Sequence, residues 1–291
     1  GNVLHLFFVM QYDILPGMVK ATFDVQFDIN NTKNKNFLPQ IATGQPVSDA
    51  NVNSAYDGDS DSFGIETKTN FVYTPQLGEK HTLVGLLSFM SNDSRGTSLQ
   101  EQSSNSASSN LQDPSIPARA QQISSSNSEV RTVAALLNAQ YGYMDRYILN
   151  VGLRADGNSR FGPNHRYGLF PSISGRWRIS GESFLRDKKF INDLSLRASY
   201  GQSGNAPKSN YLFYNTYGNY AWDYQGNPGV YSQNIQLSNL RYETVTGQDI
   251  GLTFALWDNR INVDFDLYRN RTTDLFFNGL RIPSISGFSS I

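Results

Sequence analysis

The sequence contains no cysteine, which excludes a disulfide framework, thiolate metal sites and a cysteine nucleophile. It has no run approaching the ~18 apolar residues that a membrane helix requires. The longest apolar stretch, Leu4–Met10, is strand-sized and contains His5. Any crossing of a bilayer by this chain must therefore use strands closed into a barrel, where every backbone group is paired. There is no excess of either charge: 24 Lys and Arg stand against 25 Asp and Glu. Nucleic acid is not expected as a partner, because no basic surplus meets a phosphate backbone. The opening Gly1-Asn2-Val3 shows neither the basic segment nor the cleavage site of a secretion leader.

What the chain does have is aromatic residues, 16 Tyr and 18 Phe among 291, and a hydropathy period of two. Tyr147-Leu149-Val151-Leu153-Ala155 alternates with Ile148, Asn150, Gly152, Arg154 and Asp156. Leu194-Leu196-Ala198-Tyr200 alternates with Ser195, Arg197 and Ser199, and Ile261-Val263-Phe265-Leu267 with Asn262, Asp264 and Asp266. Such alternation specifies strands with one apolar and one polar face. It predicts ten strands, at about 3–12, 18–29, 65–74, 81–91, 129–141, 146–156, 167–179, 192–201, 241–256 and 260–272. Most reach the nine to eleven residues of a tilted membrane strand rather than the five or six of a soluble one. The expected fold is all-β, an antiparallel transmembrane β-barrel portion occupying residues 1–291 as part of one barrel domain.

The connections alternate in length. Asp13–Gly17, Pro75–Lys80, Gly142–Asp145, Ser180–Ile191 and Trp257–Asn259 are mostly tight, whereas 30–64, 92–128, 157–166 and 202–240 are mostly long. Barrels of the outer membrane show this asymmetry, with short periplasmic turns and long outer loops. Tyr12, Tyr73, Tyr141, Tyr143, Tyr147, Trp177 and Trp257 gather towards the tight turns, as an interfacial aromatic girdle would. Residues 91–128, rich in Ser, Asn and Gln, read as a mobile loop or linker.

Catalysis finds little support. His5, His81 and His165 have no metal-ligand spacing. Gly201-Gln202-Ser203-Gly204-Asn205 follows a strand but opens no helix, so it reads as the start of a loop rather than a phosphate cradle. No catalytic residue and no cofactor is expected. Asp57, Asp59 and Asp61 place oxygen ligands at alternate positions, a weak calcium candidate, although Lys68 stands where an EF-hand needs its last carboxylate; a solvated acidic loop is the simpler reading. Arg154, Arg176, Arg178, Arg197, Asp264 and Asp266 fall on the polar parity of their strands and are expected to line a water-filled lumen. The segment 202–240 is the candidate binding loop. Its Tyr217, Tyr220, Trp222 and Tyr224 could stack on sugar or peptide surfaces, with neighbouring Asn and Gln reading polar groups. A loop folded on its own aromatics is the equal alternative.

The block YMDRYILNVGLRADGNSRFGPNHRYGLFPSISGRWRISGESFL at 143–185 closely resembles SusC/RagA-type TonB-dependent outer-membrane transporters. So do LSLRASYGQSGN at 194–205, LRYETVTGQDIGL at 240–252, INVDFDLYRNRTTDLF at 261–276 and the closing Ser286-Gly287-Phe288. YDILPGMVKATFDVQFD at 12–28 is similar to one of that family's barrel hairpins. The resemblance implies a barrel of about 22 strands, an N-terminal plug contacting the TonB complex, a SusD-like surface lipoprotein as lid, and import of oligosaccharides or peptides across the outer membrane. No plug, TonB box or final strand is found, so the chain is expected to be a mid-barrel piece. A surface-exposed β-rich glycan-binding or adhesin module without transport is the second reading, and a barrel enzyme with rim residues the third.

Overall fold

A computed structural model describes residues 1–115, 120–185, 188, 190–277 and 281–288, without the side chains of Ala120, Ala221, Asp223, Tyr224 and Ser284. The chain forms strands β1 Asn2–Leu15, β2 Val19–Leu38, β3 Ser54–Tyr73, β4 His81–Ser104, β5 Ala120–Tyr143 and β6 Tyr147–Asn158. It continues as β7 Tyr167–Arg178, β8 Ile191–Asn205, β9 Tyr217–Tyr224, β10 Asn227–Ser232, β11 Glu243–Leu256 and β12 Ile261–Thr273. The only α-helix among the described residues is α1, Gln40–Thr43.

Among the described residues ten strands make one sheet in the order β1-β2-β3-β4-β5-β6-β7-β8-β11-β12, while β9 and β10 pair only with each other. All ten strands expected from the period of two are members of the large sheet. Left-handed residues close its tight turns: Gly17 at φ 73°, Met144 and Asp145 both at φ 54°, and Trp257, Asp258 and Asn259 at φ 51–61°. Positive φ at consecutive residues turns the chain sharply enough to pair adjacent strands without splaying them. Of the turn expected at 180–191, residues 186, 187 and 189 lie outside the described residues.

The long connections differ from expectation. Residues 30–64 contain the last turns of β2 and the first half of β3, leaving 39–53 as the connection. The serine-rich 91–128 is not a linker: β4 runs to Ser104 and β5 starts at Ala120. Segment 202–240 holds the end of β8 and the β9–β10 hairpin. These additions share one physical cause. A strand wetted on both faces carries no apolar alternation, so period cannot reveal it, yet backbone pairing and cross-strand polar contacts still hold it.

The chain divides into two compact units. The first comprises 1–9, 24–67 and 91–131, and polar rungs hold its strands together. Asn31 Nδ2 donates to Asp61 at 2.7 Å, Lys33 Nζ is 3.4 Å from Asp59, and Lys35 Nζ is 2.6 Å from Asp57. Ser98 and Ser126 hydroxyls meet at 2.8 Å, and Arg131 Nε pairs with Asp93 at 3.0 Å. Its interior is small and mixed, with Val52, Ala55, Asn53 and Ser103 buried. Asn53 spends its amide on the backbone, accepting from Gln40 N at 2.8 Å and donating to the Ser106 carbonyl at 3.1 Å.

The second unit comprises 10–23, 68–90 and 132–291. One face of its strands leaves large apolar side chains uncovered, among them Leu137, Leu149, Val151, Ile173, Ile250, Phe265 and Leu267. The opposite parity carries Asn150, Arg154, Arg176, Arg197, Asp264 and Asp266. Exposed apolar area on this scale is unstable in water and suits a face turned to lipid. The buried apolar cluster is Phe161, Phe170 and Tyr242, with Phe161 wholly inaccessible.

Candidate functional site

The polar face of β7, β8, β11 and β12 carries two neighbouring charge clusters, one around Asp193 and one around Arg197. Backbone register sets it up: Arg176 lies opposite Arg197, Arg197 opposite Gly251, and Gly251 opposite Asp266. Two arginines side by side repel unless carboxylates balance them, and here each has one of its own. Arg197 reaches across β11 to Asp266 at 2.7 Å and Asp264 at 3.6 Å, and donates to Thr253 Oγ1 at 2.9 Å. The reach depends on Gly251, where a Cβ would come within 2.4 Å of Arg197 Nε and 2.3 Å of the Asp266 carboxylate. Arg176 pairs with Asp193 at 2.9 Å and Arg178 with the same carboxylate at 3.5 Å.

Five of the six charged residues expected on this face thus converge through β8 and its neighbours. Arg154 stands apart, paired with Asp156 on its own strand at 2.7 Å. Asp193 and Thr253 were missed. Asp193 shares the parity of Ser195 and Arg197, a signal present in the sequence, whereas Thr253 acquires its place only from register.

The aromatic candidates form a surface on the β9–β10 hairpin. Gln225 at φ 53° and Gly226 at φ 77° make its turn, a two-residue left-handed connection that fits the twist of paired strands. Tyr220 packs against Trp222 with ring centroids 5.0 Å apart and against Tyr231 at 4.8 Å. Gly229 makes room for the middle ring, since a Cβ there would lie 2.9 Å from Tyr220. Trp222 remains 68% exposed, leaving an indole face free for a ligand. Tyr217 is exposed but has the opposite parity from Tyr220 and Trp222 on β9, so it is outside this cluster. The side chain of Tyr224 lies outside the described residues. Tyr231 completes the surface from β10, a pairing that sequence spacing did not single out.

The segment that carries the hairpin is anchored on the β6–β7 connection. Tyr242 lies 4.2 Å from the ring of Phe161 and edge-on to Phe170 at 5.5 Å. Arg160 Nε donates to Asn210 Oδ1 at 2.8 Å. Burial pushes the Tyr242 phenol up to about 12, because the charged form loses its hydration there.

At the tight-turn ends, Tyr143, Tyr147 and Trp177 of the expected aromatic set form one row with His81, which the sequence reading did not include. His81 packs on Tyr143 at 5.0 Å, Tyr143 on Tyr147 at 6.3 Å and Tyr147 on Trp177 at 6.4 Å, nearly parallel. Glu182 fastens this row from the β7–β8 turn. It accepts from the Tyr147 phenol at 2.5 Å, from Trp177 Nε1 at 3.2 Å and from Arg146 at 3.3 Å. The Tyr147 hydrogen bond, then those of Trp177 and the charge of Arg146, hold its carboxyl below the usual glutamate range.

Asp57, Asp59 and Asp61 do not sit in an acidic loop. They lie on β3, spaced along one face, each opposite Lys35, Lys33 or Asn31 of β2. Among the described residues no group of three or more His, Asp or Glu is placed to hold a metal.

The family model for the TonB dependent receptor-like β-barrel matches residues 11–289. The chain belongs to this family. TonB-dependent receptor P39 of Formosa agariphila is 29% identical over 314 residues, covering 98% of this chain and 27% of that protein. The TonB-dependent receptor SusC of Bacteroides thetaiotaomicron is 30% identical over 161 residues, 52% of this chain and 16% of that protein. The RagAB peptide transporter structure has the same fold, with a TM-score of 0.85 at 21% identity over 98% of this chain and 31% of that one. The chain therefore spans under a third of the length of these relatives. As a TonB-dependent receptor barrel it is an outer-membrane protein, and its tight turns mark the periplasmic side. The relatives named here are receptors and transporters rather than enzymes.

Proposed function

We propose that this chain is part of the wall of a TonB-dependent importer that works with a SusD-like surface lipoprotein to take up oligosaccharides or peptides. The observation that carries the reading is the Tyr220–Trp222–Tyr231 surface on an independent hairpin at the outer ends of the strands. Aromatic faces bind the C–H surfaces of sugars and the side chains of peptides alike. The relationship to SusC, and a fold shared with a peptide transporter that takes its name from two components, support the partnership. Energy would come from TonB acting on a plug carried by another part of the receptor.

Below the hairpin, Arg176, Arg178 and Arg197 set against Asp193, Asp264 and Asp266 give the lumen fixed dipoles without a net charge of one sign. Such a wall hydrates a passing neutral or zwitterionic solute without trapping it. The test is affinity purification of the tagged complete receptor from source outer membranes in mild detergent. A large lipoprotein recovered in near-equal amount, and Trp222-dependent binding of an oligosaccharide or peptide ladder, support the proposal. A receptor that comes down alone and binds neither ladder would sink it, leaving a surface module without transport.

A further inference from the structure

The lipid face of β8, β11 and β12 changes chemistry part-way up. From the tight turn, its rows are apolar: Leu256 opposite Ile261, Phe254 opposite Val263, Leu252 opposite Phe265, and Ile250 opposite Leu267. On the same parity the next rows are Gln248 opposite Arg269 and Thr246 opposite Arg271. Both arginines are exposed, and among the described residues no carboxylate lies within ion-pair distance of either. The arginines of the lumen face, by contrast, are all paired where they lie in this sheet. A recess runs beside the outward pair, lined also by Gln202, Thr246 and Gln248. Gln202 Nε2 is held there by the Tyr200 phenol at 3.0 Å.

Height decides what this recess meets. A strand rises about 3.4 Å per residue and tilts by about 35–45°, so each residue gains roughly 2.6 Å along the barrel axis. Counted from Ile261 at the periplasmic edge, Arg269 is then about 21 Å up and Arg271 about 26 Å, against an apolar band of about 25 Å. Two unpaired guanidiniums at the rim of the band, facing lipid, are costly unless an anion meets them. The leaflet on that side presents its headgroups at this level.

We propose that Arg269 and Arg271 form a docking site for a phosphate-bearing headgroup of an outer-leaflet lipid. The guanidiniums bind the phosphate oxygens in forked pairs, and Gln202 and Thr246 add neutral polar contacts. The site is independent of any substrate in the lumen and would fasten this sector of the barrel at a fixed depth.

The test uses the complete receptor in dodecylmaltoside micelles. Phosphorylated lipid A, the same lipid stripped of phosphate, and inorganic phosphate are each titrated against the wild type and the R269Q/R271Q double variant. Binding of phosphorylated lipid A by the wild type, at least tenfold tighter than the stripped lipid and than inorganic phosphate, with at least a fivefold loss in the double variant, is the expected result. A smaller difference in any of these comparisons overturns the proposal. Should the double variant fail to fold, a photo-crosslinking residue at Gln248 in cells grown on radioactive phosphate decides instead. A radiolabelled lipid adduct supports the site, and its absence overturns it.

Discussion

Glu182 Oε1 lies 2.5 Å from the phenol oxygen of Tyr147, and the same carboxylate oxygen accepts Trp177 Nε1. One side chain from the β7–β8 turn thereby fastens the first residue of β6 and the penultimate residue of β7. The ionised form accepts these bonds best, which is why its pKa falls. A depressed carboxyl contributes stability that is present above its ordinary value near 4.5 and is lost as pH falls through the lower folded value. The unfolding midpoint in detergent should drop on acidification below pH 4.5 in the wild type, and Glu182→Gln should abolish that acid-dependent component. An unchanged acid profile in the variant would show that Glu182 does not carry it.

Gly251→Ala should break the Arg197–Asp266 contact. The new methyl meets the Arg197 stem and the Asp266 carboxylate at once, and one of them must move. Overpacking of this kind costs about 1 kcal/mol or more. The variant should unfold at lower denaturant than the wild type, and Asp266→Ala in the same background should cost much less than it does alone.

Trp222→Ala should weaken ligand binding about tenfold, corresponding to about 1.4 kcal/mol. Tyr217→Ala, on the other parity of the same strand, should change affinity less than twofold. Isothermal titration of both variants checks the assignment; equal losses would place the ligand elsewhere.

Phe161→Ala should release the segment 206–242 from its anchor. Emptying a fully buried aromatic site costs about 3–5 kcal/mol, and here the loss falls on a local contact with Tyr242. Limited proteolysis should cut the variant faster between 206 and 216 while the sheet stays intact.

Tyr242 should add an alkaline limit. Its raised value means that the neutral phenol stabilises the fold fully below pH 10, with the contribution lost as pH climbs towards about 12. Tyr242→Phe should remove that dependence, read as the pH at which the 206–242 segment becomes protease-sensitive.

The large sheet was legible because lipid on one side and water on the other write a period of two into every crossing strand. Val151, Leu153 and Leu149 against Gly152, Arg154 and Asn150 are enough to place β6 within a residue or two. That signal stops where lipid stops. Ser98 and Ser126, or Lys33 and Asp59, hold strands together between two wet faces, so the outer halves of β2 to β5 read as loops. The site was legible in part for a related reason. Parity put Arg176, Arg197 and Asp266 on one face, but only register showed that Gly251 lies between the last two. The aromatic segment announced itself by composition, yet the partnership of Tyr220 with Tyr231 depends on a hairpin whose alternation is masked by Asn, Gly and Asp.

Among the described residues the hairpin of β9 and β10 pairs with no other strand, and it enters and leaves through the anchored segment around Phe161 and Tyr242. It behaves as a removable cassette. Its length and rings can be exchanged without removing a backbone rung of the large sheet, so under the proposed function ligand choice and membrane residence would evolve separately. A hairpin transplanted from another receptor onto the Phe213 and Leu240 boundaries would leave the pairing of the large sheet as it is.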